Sequence, residues 1–250
     1  MSLPYRLWLW LRATAFWSGF VPFTVFYGLL SVLLYVVPGY LRRYHILVGW
    51  CSLSLWWLRL TCGVDCKVQG RENIPQDQAT IIMANHQSTW ETLAFATIFP
   101  PLTWVLKREL LKVPFFGWGV RLIKPIAIDR SAGRSAVDQV KVQGKDRLDE
   151  DISLVIFPEG TRVNPGESKP YKVGGSVMAT YTGYPVLPVA HNAGASWPRM
   201  SYIKKPGTIT VSIGKPISTR GKEPEVLLKE VETWINAERA TLVFDSPDKD

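Results

Sequence analysis

The chain has 250 residues, enough for one sizeable core or a core with an appended segment, and a formal net charge of +8. That charge is uneven: residues 1–60 carry Arg6, Arg12, Arg42, Arg43 and Arg59 with no acidic residue, whereas the remainder holds 24 basic against 21 acidic residues. The aromatic residues sit in apolar runs without clustered lysines, which argues against a nucleic-acid partner, and Cys51, Cys62 and Cys66 form neither a disulfide framework nor a zinc set and fit a reducing compartment.

From Ala13 to Leu41 no charged residue occurs across 29 positions, more than the ~20 needed to cross a ~30 Å hydrocarbon layer. Trp8, Trp10, Trp17, Trp50, Trp56 and Trp57 all fall in this first quarter. Indole rings concentrate where hydrocarbon meets headgroups, so arginine excess together with tryptophan points to an anionic bilayer. The run is too long for a signal-peptide core, and no A-x-A cleavage site follows it. A second apolar stretch, ILVGWCSLSLWWL, is only 13 residues long and reads as a helix lying at the interface. Arginines flank the long run on both sides, so the basic bias of cytoplasmic flanks does not orient it. Pro22 is expected to interrupt the run and Pro38 to end it, because proline removes a backbone donor. We expect residues 1–62 to form a helical hairpin embedded in one leaflet with both ends cytoplasmic; one transmembrane helix plus an interfacial helix is the alternative.

Residues 63–250 alternate short apolar runs with helix-like stretches. Strands are expected near CKVQG, ATIIMA, TWVLK, IAID, SLVIF, VLPVA and TITVSIG, each bounded by Gly, Pro or polar residues. Helices are expected over Ser88–Thr97, Ala136–Glu150, Gly174–Tyr181 and Glu223–Thr241. This alternation implies an α/β fold with a mixed, largely parallel sheet flanked by helices. The polar tail DSPDKD is expected to fray.

Two stretches carry possible chemistry. In NHQSTWE, Ser88 and Glu91 have the spacing of a capping box, with Ser88 as N-cap and Glu91 three positions on. That alone accounts for Glu91 and leaves His86 an ordinary turn residue. Yet His86 precedes the helix, where the turn can fold its ring back over the first turn; a carboxylate there fixes the tautomer and leaves Nε2 as an outward-facing base. In SLVIFPEGTR, a strand runs straight into Pro158, Glu159, Gly160, Thr161 and Arg162, at the carboxyl edge where ligands of α/β folds bind. Arg162 there suits a phosphate, or a surface ion pair.

NHQSTWE, KRELLKVPFFGWGVRLIKPIAIDR, FPEGTR with the later YKVGG, and VLPVA occur in the order and rough spacing of the glycerolipid acyltransferase family. Through these blocks residues 66–190 resemble that family, most closely its bacterial 1-acyl-sn-glycerol-3-phosphate acyltransferase (lysophosphatidic acid acyltransferase) branch. The departure is Glu91, where the family's His-x4-Asp motif usually has aspartate; one methylene changes the reach by ~1.5 Å, which a rotamer can absorb. Lipid A acyltransferases share a His-x4-acid motif, but the FPEGTR block argues against that branch.

The resemblance implies an α/β acyltransferase domain over 63–250 that moves an acyl group from a thioester of acyl carrier protein or coenzyme A to the sn-2 hydroxyl of lysophosphatidic acid. His86 would be the general base and Glu91 its support, with amides at the start of the following helix as candidates for steadying the oxyanion. The acceptor phosphate would fall to Arg162 and Lys107, with Arg108 a further candidate that also suits headgroups. Glu159 would orient the arginine or the glycerol backbone, and Gly160 and Thr161 would supply a tight turn and a hydrogen bond. Lys172 and Gly174 match the block's extension or simply form a helix-entry turn; Asp129 and Arg130 are expected in structural pairs. VPFFGWG, with Phe115, Phe116 and Trp118, is either core or part of an acyl-chain channel. Neither a metal nor a resident cofactor is implied, and the setting is the cytoplasmic face of a bacterial inner membrane. Acylation of glycerol 3-phosphate or another lysolipid is the nearest alternative. A non-catalytic, membrane-anchored binder of anionic lipid is an alternative of another class.

Overall fold

The computed structural model describes residues 2–99, 101–129 and 134–244, so Arg130 and the DSPDKD tail lie outside the described residues. The chain opens with two long helices, α1 (Leu3–Leu34) and α2 (Tyr40–Cys62). They run antiparallel: Trp57 Nε1 donates to the carbonyl of Ala15 at 3.0 Å, Trp50 Nε1 to Thr24 Oγ1 at 3.2 Å, and Arg12 Nε to the Thr61 carbonyl. Pro38 sits in the connection between them, as expected, but Pro22 does not interrupt α1. The helix continues through it, giving up one backbone bond, which neighbouring packing makes tolerable. The second apolar stretch is also longer than expected, forming the middle of a 23-residue helix. Only α1 among the described residues is long and apolar enough to cross a membrane.

The remaining chain forms a seven-stranded sheet in the order β1-β7-β6-β2-β5-β3-β4. These are β1 (Val64–Gln69), β2 (Ile81–Ala84), β3 (Leu102–Lys107), β4 (Ile126–Ile128), β5 (Ser153–Ile156), β6 (Val186–His191) and β7 (Gly207–Ile213). Neighbours are parallel except β6 and β7, so the sheet is mixed and largely parallel. Central strands of such a sheet are covered on both faces and read as unbroken apolar runs. In β2, Ile82 and Ala84 face one core, shared with α2, α3 (Trp90–Ile98) and α7 (Ala193–Ser196), while Ile81 and Met83 face the other. That second core is covered by α5 (Arg134–Asp149), α6 (Gly174–Thr182) and α8 (Pro224–Thr241). A further helix, α4 (Phe116–Leu122), packs on α1 and α2.

The hairpin shares the first of these cores. Phe16, Cys51, Leu58 and Cys62 belong to the same buried cluster as Trp90, Phe95 and Leu187. The outward side of α1 is apolar and exposed at Leu11, Val21, Phe26, Leu29 and Leu33.

Candidate active site

Five parallel strands, β6, β2, β5, β3 and β4, end on one edge of the sheet. Beyond β2, Asn85 prolongs the pairing with β6 through its side chain: Nδ2 donates to the His191 carbonyl at 2.9 Å and Oδ1 accepts the His191 amide at 3.0 Å. The turn that follows presents His86. Its Nδ1 lies 2.8 Å from Glu91 Oε1, and the same oxygen accepts the amides of Gln87 at 2.9 Å and Ser88 at 2.7 Å. An acceptor-only oxygen requires a proton on Nδ1, so the neutral ring presents Nε2 as its acceptor; among the described residues nothing pairs with Nε2, and the side chain is 15% exposed. Burial alone disfavours a charged Glu91. The His191 ring, the His86 hydrogen bond and the Ser88 amide outweigh it and hold the carboxyl below its usual range.

Ser88 is not the N-cap. Helix α3 starts one residue later, with Thr89 at that position, and Ser88 Oγ accepts the Trp90 amide at 3.1 Å. The amides of Gln87, Ser88 and Trp90 are therefore spent on Glu91 and Ser88 rather than facing an oxyanion.

The chain after β5 closes over the same turn. The Phe157 ring lies flat on the His86 imidazole, centroids 4.0 Å apart and planes 10° from parallel. Gly160, at φ +69°, closes a turn whose amide donates to the Phe157 carbonyl at 2.9 Å, and the Lys172 side chain runs across the position a Cβ would take. Val163 donates its amide to the His86 carbonyl at 2.7 Å, so the FPEGTR segment is hydrogen-bonded along the histidine turn. Glu159, expected to orient Arg162 or the glycerol, instead holds the histidine's backbone: Oε2 accepts the His86 amide at 2.7 Å, and Oε1 faces Arg239 of α8 at 3.8 Å. Burial pushes Glu159 up to about 7. Thr161 and Arg162 are half-buried beside it, and no described carboxylate pairs with the Arg162 guanidinium. Burial lowers the Arg162 pKa and the nearby Glu91 raises it again, so the guanidinium shares the electrostatic surroundings of the His86 dyad.

The acyltransferase family model matches residues 65–192, the span that holds this whole edge. The chain belongs to the acyltransferase family. It is 41% identical over 220 residues to the 1-acyl-sn-glycerol-3-phosphate acyltransferase of Pseudomonas aeruginosa, covering 86% of this chain and 85% of that one. It is 32% identical over 200 residues to the Saccharomyces cerevisiae 1-acyl-sn-glycerol-3-phosphate acyltransferase, spanning 78% of this chain and 64% of that longer one. Among solved structures it matches the 1-acyl-sn-glycerophosphate (LPA) acyltransferase PlsC from Thermotoga maritima with a TM-score of 0.78, at 25% identity over 92% of this chain and 94% of that one.

The other residues singled out from the acyltransferase blocks do not all meet at this edge. Lys107 ends β3, which is separated from β2 by β5, so it stands roughly 10 Å along the edge from the histidine strand. Its ammonium pairs with Glu109 at 3.1 Å, and Arg108 beside it is exposed. Phe115, Phe116 and Trp118 are each half-buried, and the first two meet the hairpin: Phe115 meets Gly28 of α1, and the Phe116 ring lies 6.0 Å from Trp50 of α2. Phe115 and Phe116 join α4 and its entry turn to the hairpin, with the Trp118 ring 4.9 Å from that of Phe115. Lys172 donates its amide to the Pro158 carbonyl at 2.8 Å, and Gly174 begins α6. Sequence reasoning missed Asn85, Phe157, His191 and Arg239. His191 is fully buried, donates Nε2–H to the Asn85 carbonyl at 2.7 Å, and is held toward the neutral form by burial. The one available signal was its place at the end of an apolar strand; the partners lie far away in the chain.

Proposed function

We propose that this acyltransferase transfers a fatty acyl group from a thioester to the sn-2 hydroxyl of lysophosphatidic acid, giving phosphatidic acid, with His86 as general base. The observation that carries the reading is the His86–Glu91 pair at 2.8 Å with Nε2 left free, beside a half-buried guanidinium. The sn-2 hydroxyl proton passes to Nε2 as its oxygen attacks the thioester carbonyl; the new imidazolium is stabilised by Glu91; collapse of the tetrahedral adduct breaks the C–S bond, and the thiolate recovers the proton. Arg162 would hold the acceptor's phosphate by two parallel hydrogen bonds. The donor is a thioester of acyl carrier protein or of coenzyme A. The hairpin would embed in one leaflet, at the cytoplasmic face of the membrane, so that a lipid-tailed substrate is found by lateral search.

The test is purified full-length protein in anionic vesicles with radiolabelled lysophosphatidic acid and each thioester in turn. Phosphatidic acid is the expected product. His86→Ala should lower kcat by ~10²- to 10⁴-fold while the protein still folds and binds the vesicles. Arg162→Ala should chiefly raise the acceptor KM. Near-normal turnover in the first variant, or a donor-only effect in the second, would remove those assignments.

A further inference from the structure

The stretch that follows β3 leaves two aliphatic side chains in the open. Arg108–Lys112 form a short 3-10 helix, and Leu110 and Val113 are 41% and 42% exposed. The Val113 amide donates to the Leu110 carbonyl at 3.3 Å, the three-residue step that brings two side chains to one side of such a turn. Lys107, Arg108 and Lys112 flank this pair, and Arg121 reaches the Leu111 carbonyl at 3.0 Å; all four cations are exposed, against the acids Glu109 and Asp129. Lys107 is paired with Glu109, whereas neither Arg108 nor Lys112 has an ion-pair or hydrogen-bond partner among the described residues.

The pair adjoins the apolar outer side of α1. The Cα of Phe115 lies 2.5 Å from where a Cβ on Gly28 would stand, so the two backbones meet there. Val113 is two residues earlier, at most ~7.6 Å away along the chain. Val32, one turn beyond Gly28 and on the same side of α1, is exposed, as are Leu29 and Leu33. Exposed aliphatic side chains therefore run from α1 past the Phe115 contact to Val113 and Leu110.

Aliphatic side chains set among arginine and lysine, and continuous with a long apolar helix, are complementary to an anionic bilayer. The interface receives Leu110 and Val113, and lipid phosphates receive the guanidinium and ammonium groups. An acidic protein would match the charges but not the continuity with α1. The turn also begins at the edge of the sheet that presents His86, because β3 runs parallel to β5 and β5 to β2. A membrane contact here stands roughly 10 Å along that edge from the histidine strand.

We propose that residues 108–113 are a second membrane contact, separate from the hairpin, in which Leu110 and Val113 enter the interface of an anionic bilayer and Arg108 and Lys112 bind lipid phosphates. The contact rests on the membrane setting proposed above. It adds orientation: two contacts hold the sheet at one angle to the bilayer, where the hairpin alone would leave it free to tilt.

Spin labels report local depth without any acyl transfer. Full-length protein carrying Cys66→Ser, with Cys51 and Cys62 buried, would be labelled singly at Leu110→Cys, at Val113→Cys, at Leu29→Cys on α1, and at Val142→Cys, an exposed position on α5 across the sheet. In vesicles of phosphatidylglycerol and phosphatidylcholine, labels at 110 and 113 should collide more with oxygen, and several-fold less with a water-soluble nickel chelate, than the label at 142. Arg108→Gln and Lys112→Gln should each lower the ratio of lipid-seated to free label at 113 by roughly fivefold, and vesicles of phosphatidylcholine alone should lower it further. Chelate access at 110 and 113 equal to that at 142 would overturn the proposal whatever the label at 29 reports, as would seating indifferent to both charge variants. Lipid at 29 with water at 110 and 113 would leave the hairpin as the anchor and reject the turn; water at 29 with lipid at 110 and 113 would keep the turn and reject the hairpin. Labels at 110 and 113 shielded only when acyl carrier protein is added would give this surface to the donor protein and overturn the membrane contact.

Discussion

One oxygen of Glu91 receives three donors, from His86 Nδ1 and the Gln87 and Ser88 amides, while the other oxygen is buried without a partner. The extra methylene relative to aspartate is used to carry that oxygen to all three. Glu91→Gln keeps an acceptor but removes the charge that would stabilise the imidazolium of the proposed reaction; Glu91→Asp keeps the charge and shortens the reach by ~1.5 Å. We expect the glutamine variant to lose about tenfold more kcat than the aspartate variant, read from steady-state acyl transfer at saturating donor. Equal losses would assign Glu91 to shaping the turn alone. Glu159 gives a different prediction. Burial raises it from 4.5 to about 7, so the folded protein binds this proton more tightly than the unfolded chain does. Its contribution to stability is complete below its unfolded pKa and is lost as pH rises through 7, an effect on the order of 3 kcal/mol. The thermal midpoint should fall as pH rises from about 5 to about 7.5, and Glu159→Gln should flatten that profile. A level profile in the unsubstituted protein would contradict it.

At the scale of elements, the entry to α4 shows why some pieces are legible in sequence and others are not. Every expected strand is present: β2 and β5 are short continuous apolar runs of the kind a sheet covers on both faces, β1 and β7 alternate branched apolar with polar residues, and all are closed by Gly, Pro or polar residues. VPFFGWG has no such pattern. Phe115 adopts φ 62° and ψ −59°, with the Phe116 amide bonded to the Pro114 carbonyl at 2.7 Å, a γ-turn that a non-glycine residue enters at a cost of ~1–3 kcal/mol. What holds it there is α1, since Phe115 packs where Gly28 has no side chain and any Cβ would collide with it. Gly28→Ala should therefore destabilise the protein by about 1–3 kcal/mol through overpacking, seen as a lower thermal midpoint in micelles. An unchanged midpoint would show the junction to be slack. No local pattern around Phe115 could reveal a partner in another helix.

Across the whole molecule, the hairpin and the loop before β7 are joined by a buried lysine. Lys204 is 0% exposed, its Nζ lying 4.1 Å from the Trp17 ring centroid, 4.5 Å from Trp197 and 5.1 Å from Phe16, and donating to the Tyr202 carbonyl at 2.7 Å. Two of these rings belong to α1, so the ammonium ties the hairpin to the loop before β7. Burial pushes Lys204 down to about 7. The unfolded chain then holds more protons than the folded one from pH 7 up to the ordinary lysine range, so stability rises with pH across that interval; the rings, which favour the charged form by ~0.5–2 kcal/mol, reduce the size of the rise. Lys204→Met should remove the slope above pH 7 in a series of thermal midpoints, and a slope that persists would locate its origin elsewhere.

By itself the sequence determined the seven strands, the helices α3, α5, α6 and α8 among those that cover them, the apolar leading segment and the two short stretches around His86 and Arg162, since each is a local pattern of spacing and punctuation. Tertiary structure decided what those residues do to one another. Strand order set β2 beside β5 and β6, which brought Glu159 onto the His86 backbone, Phe157 onto its ring and Asn85 onto His191, and left Lys107 farther along the edge, paired with Glu109. Such contacts depend on which strands become neighbours across the sheet, a property of the packed whole that no window of the chain contains.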